Sequence, residues 1–150
     1  MTSSKPTRSR LLIGAALLWL VWGAVHAFAG IMTILGDTGP AMQAIADAVD
    51  PAVFQMELPE AAGAILNQHG FNLLWFGAVT MVCAWFIWRR NTAAIFIAAL
   101  VGGLADLGYF LFLDLGGYVN FVPGTVMTLI SSAAVILSFV YYFHTKSAAA

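Results

Sequence analysis

The sequence predicts an all-α integral membrane protein: an antiparallel four-helix transmembrane bundle with a short amphipathic helix in the first extracytoplasmic loop. Three observations carry this. Of 150 residues, 61% are hydrophobic and only 9% charged, whereas a soluble domain carries roughly 25% charged residues. The apolar residues come in long blocks rather than in alternation. The basic residues fall at one set of block ends.

The first block, residues 11–35, contains no formally charged side chain. The second covers about 68–88, the third 92–114 with Asp106 inside it, and the fourth 122–143. Each meets the roughly 17–25 residues that a helix needs to cross the hydrocarbon core. The tight link Arg89-Arg90-Asn91 between blocks two and three demands an antiparallel hairpin. One integral membrane domain over residues 1–150 is expected. Cys83 is the sole cysteine, which excludes an intrachain disulfide and suits a small buried side chain.

All six basic residues (Lys5, Arg8, Arg10, Arg89, Arg90 and Lys146) flank the same ends of the blocks. By the positive-inside rule both termini are expected to be cytoplasmic. Asp37, Asp47, Asp50, Glu57, Glu60 and Asp114 fall on the other side. The expected location is a bacterial inner (plasma) membrane. Ala27-Phe28-Ala29 before Gly30 has the form of a signal-peptidase site. The apolar block continues to Leu35, however, and is longer than the roughly 7–15 residues of a signal core. The first span is therefore expected to be retained.

The outer loop, residues 36–67, is long enough for structure of its own. Thr38 or Gly39 suits a cap and Pro40 a first helical position. Met42, Ile45, Ala46 and Val49 then recur on one helical face until Asp50-Pro51 ends the pattern.

Four polar or aromatic positions coincide in depth. His26 lies 15 residues beyond Leu11, and Asp106 lies 15 beyond Asn91. At 1.5 Å per residue both sit roughly 22 Å into a core about 30 Å thick. Counting back from Arg89 brings Asn72 and Trp75 to the same level within a turn, and Trp22 and Tyr109 lie one turn away. An aspartate at this depth costs about 2.5–3.5 kcal/mol, so it should face the bundle interior with a partner. His26 is the expected one. Small residues around Asp106 (Ala98, Ala99, Gly102, Gly103) and around His26 (Gly23, Ala27, Gly30) predict packing of the first span on the third. The second span would then present Gln68, Asn72 and Trp75.

The expected pocket for a ligand or proton comprises His26, Asp106, Asn72, Trp75, Trp22, Tyr109, His69 and Gln68. No metal or other cofactor is predicted. His69 counts as roughly 7 Å above His26, and zinc-type spacings are absent. No catalytic set is visible. The net charge of −1 without a basic patch argues against a nucleic-acid partner, and none is expected. The reading that fits these residues best is binding or transport of a small ligand or proton. One alternative is a structural or accessory membrane subunit in which the polar layer only locks helices together. A second is a membrane enzyme or a redox or haem protein using His26 and Asp106. The expected partners are the bilayer, a small-molecule ligand, and a second copy or another membrane protein.

Overall fold

A computed structural model describes residues 10–46 and 58–147. Four helices are long and apolar enough to cross a membrane. They are α1 (Arg10–Leu35), α3 (Glu60–Trp88), α4 (Thr92–Asp114) and α5 (Val126–Ser147), with α2 (Thr38–Ala46) in the loop after α1. Large apolar side chains such as Phe28, Leu100, Phe112 and Phe143 point outward all round the bundle. A water-soluble chain does not present such a surface; an integral membrane protein does. Arg10, Arg89, Arg90 and Lys146 mark one end of the bundle, called here the basic end.

Two boundaries differ from expectation. The second span begins at Glu60 rather than near residue 68, because the segment before it keeps helix-forming residues up to Pro59, which sits at the N-cap with extended backbone. The fourth begins after Val122, whose backbone is extended (φ −112°, ψ 132°). Val122 precedes Pro123, and a residue before proline is biased away from the helical region. The loop helix starts at Thr38, with Ala41 N–H donating to the Asp37 carbonyl at 2.9 Å. Pro40 falls within the first turn, where a missing N–H costs nothing. Its expected continuation to Asp50 lies outside the described residues.

Between α3 and α4 the chain turns through Arg90, which adopts a left-handed conformation (φ 64°). Asn91 N–H donates to the Phe86 carbonyl and Arg90 N–H to the Ile87 carbonyl, so the last carbonyls of α3 are satisfied by a Schellman-type closure. The Asn91 side chain then accepts from Ala94 N–H and opens α4.

The closest helix contact is between α1 and α3, not between the first and third spans as the small-residue faces suggested. A Cβ added at Gly23 would meet the Gly77 carbonyl oxygen at 2.6 Å, and one at Gly30 would meet the Gly70 carbonyl and Leu74 N–H. Gly23 and Gly30 are seven residues apart, as are Gly70 and Gly77. In an antiparallel pair such equal spacings bring the glycines together twice, two turns apart. The small face of α4 meets α1 only through side chains, Gly102 receiving the α1 Trp19 ring, while Gly103 faces Val135 of α5.

Towards the basic end the interior is filled by Trp19, Trp22, Ile87, Ile95, Ala98 and Ala134. Cys83 is buried at the edge of this cluster. Towards the other end, contacts of α4 with α3 thin out beyond Gly103. The bundle opens there.

Candidate functional site

Asp106 lies on a short α-helical stretch, Leu104–Tyr109, set between two π-helical turns, Ala99–Gly103 and Phe110–Asp114. Wide turns of this kind are uncommon in helices and recur at functional sites. Asp106 is 4% exposed. Its Oδ2 accepts a 2.6 Å hydrogen bond from Trp22 Nε1, which joins residues 84 apart in sequence. The Ser131 hydroxyl of α5 also reaches the carboxylate.

His26 is not the direct partner expected. Its Nε2 lies 3.7 Å from Asp106 Oδ1, beyond the range of a hydrogen bond. Trp22 takes that role because its long side chain hangs towards the helix N-terminus and crosses to α4 at the level of Asp106. His26 stacks on Trp22, with ring centroids 3.7 Å apart and planes inclined by 19°. His26 Nδ1 lies 2.9 Å from the Trp22 carbonyl oxygen. A carbonyl only accepts, so Nδ1 carries the hydrogen and Nε2 is the nitrogen turned towards Asp106.

In front of this group is a cavity of about 390 Å³ between α1, α3, α4 and the start of α5. His26, Asp106, His69 and Tyr109 line it, with Leu73, Phe76, Phe112 and Met127 among its apolar walls. The Tyr109 hydroxyl packs directly over the Gly124 backbone, in space that any Cβ would occupy. Gly108 also lines the cavity, and a Cβ there meets nothing within 4 Å.

The eight expected pocket residues thus divide. His26, Asp106, His69 and Tyr109 share the cavity, and Trp22 lies behind it as the anchor of Asp106. Gln68, Asn72 and Trp75 do not line it. Trp75 Nε1 donates to Asn72 Oδ1 at 3.1 Å on an exposed face of α3. The reason is angular. His69, Leu73 and Phe76 lie on the helical face towards the cavity, and residues 68, 72 and 75 lie about 100° away from it. Counting residues along the axis said nothing of azimuth. His69 reaches the same cavity despite its different height.

Sequence reasoning also missed Gly108, Gly124 and the aromatic walls. Asp114 was counted only as an acid on the side opposite the basic residues; its Oδ1 accepts from Thr125 Oγ1 at 2.6 Å, across the turn between α4 and α5. The Ser131 hydroxyl also lies 3.1 Å from the Thr128 carbonyl of its own helix; elsewhere the Thr80 hydroxyl donates to a carbonyl of its own helix, and His144 is exposed at the basic end. Among the described residues no group of three His, Cys, Asp or Glu side chains is gathered for a metal. Comparisons with protein-family models, curated proteins and solved structures find no match to this chain.

Proposed function

We propose that this membrane protein binds a small molecule or a proton in the cavity headed by His26 and Asp106. One observation carries the reading. A buried carboxylate, two histidines and a tyrosine converge on one cavity whose remaining walls are largely apolar. Few polar groups in an apolar concavity of roughly 300–1,000 Å³ is the usual form of a small-molecule site, and ionisable residues inside a membrane are functional candidates by default. The filled interior between Asp106 and the basic end favours a one-sided binding site over a continuous conduit within one subunit.

The experiment is a thermal-stability screen of the purified protein against lipophilic compounds, repeated with Gly108→Leu. That side chain grows into open space, so the variant should fold while losing ligand-induced stabilisation. A compound that stabilises both proteins equally would not be bound in this cavity.

A second reading is favoured by the Trp22–Asp106 bond itself, which ties α1 to α4. In it the layer only fixes helix positions, and no compound distinguishes Gly108→Leu from the parent. We further propose that both termini are cytoplasmic in a bacterial inner membrane, so that the cavity faces outward. Reporter fusions at Met1 and Ala150 should both report the cytoplasm, and a reporter placing Ala150 outside would refute this.

A further inference from the structure

Resting on the ligand-cavity reading above, we propose that the cavity takes a lipophilic primary amine, bound as its ammonium. Hydrogen-bond inventory comes first. Nδ1 of His26 is committed as a donor to the Trp22 carbonyl, which leaves Nε2 of the neutral ring as an acceptor. Oδ2 of Asp106 accepts from Trp22 Nε1, the Ser131 hydroxyl also reaches the carboxylate, and Oδ1, which keeps further lone-pair capacity, faces His26 Nε2 across 3.7 Å. The head of the cavity therefore presents two acceptors side by side, neither of which has a hydrogen to give the other. A group with two N–H bonds can donate to both at ordinary hydrogen-bond distances. One hydroxyl donates a single hydrogen and satisfies one of them.

Charge points the same way. Asp106 lines the cavity, and among the described residues no lysine or arginine does. Asp114, further along α4, lies within electrostatic reach of Asp106 and has its Oδ2 buried without a partner. In an apolar setting an uncompensated carboxylate is strongly unfavourable, and a cationic guest relieves it. An anionic guest would add to it. The faces and edges of Phe76, Tyr109 and Phe112 supply aromatic walls of the kind that attract ammonium groups. Val25, Leu73 and Met127 are suited to the apolar body.

The test uses the full chain in detergent and four probes with one alkyl length: n-octylammonium, octyltrimethylammonium, n-octanol and octanoate. Gly108→Leu controls for effects of each probe on the micelle. Octylammonium should bind best, ahead of octyltrimethylammonium, which has the charge but no N–H. Asp106→Asn keeps an oxygen for Trp22 Nε1 and removes the charge. It should weaken octylammonium by about 10- to 100-fold and leave octanol nearly unchanged. Should Asp106→Asn fail to fold, the ranking of the four probes on the parent protein still decides. Octanol or octanoate binding as well as octylammonium would overturn the amine inference and leave the cavity reading standing. No probe separating the parent from Gly108→Leu would count against both.

Discussion

Trp22→Phe is expected to destabilise the protein more than His26→Leu, although His26 is the more conspicuous residue in the sequence. Trp22 Nε1 holds Asp106 at 2.6 Å, whereas His26 stands 3.7 Å from it. Losing a hydrogen bond to a charged group costs about 1.5–3 kcal/mol. The indole is also fully buried, so the smaller ring leaves a void, and a total of about 3 kcal/mol or more is expected. His26→Leu loses the stacking on Trp22 and one bond to a backbone carbonyl, about 1 kcal/mol. The double variant Trp22→Phe/Asp106→Leu should recover much of the stability, because removing both partners leaves no orphaned polar group. Reversible unfolding in detergent measures all three. A Trp22→Phe protein no less stable than His26→Leu would mean that Asp106 does not depend on Trp22.

The second large effect is expected at the α1–α3 crossing. Gly30→Ala should cost about 1–3 kcal/mol, and Gly30→Leu should prevent folding. The first added carbon already collides with the Gly70 carbonyl and the Leu74 N–H. Backbone atoms in the middle of a helix cannot move aside as a side chain end can. The same leucine at Gly108 meets open space and should be tolerated. Monodispersity and unfolding temperature separate the two outcomes. A Gly30→Leu protein as stable as the parent would contradict the glycine-paired crossing.

The spans were legible because the bilayer imposes a length and an apolar composition that block structure reveals directly. The closeness of His26 and Asp106, 3.7 Å apart in the structure, was legible from matched counts along their spans. Azimuth was not, which is why Asn72 and Trp75 were expected in a cavity that Leu73 and Phe76 line. The glycine pairs at Gly23/Gly30 and Gly70/Gly77 did carry a signal, since equal spacings of seven on antiparallel neighbours can meet. The π-helical turns beside Asp106 carried none. Whether a helix widens by one residue depends on packing against its neighbours and not on local propensity. The choice of Trp22 over His26 as partner likewise depends on how far each side chain reaches, which spacing alone does not encode.

The most direct test of a ligand cavity in front of Asp106 is the alkylation rate of Gly108→Cys in a Cys83→Ala background. A small neutral reagent such as N-ethylmaleimide can arrive from water or from lipid. The account predicts rapid labelling of Gly108→Cys, slowed when a cavity-bound compound is present, against slow labelling of buried Cys83 in the parent. A folded Gly108→Cys protein as inert as Cys83 would mean that the space in front of Asp106 is closed, and the polar layer would then serve only to hold the helices together.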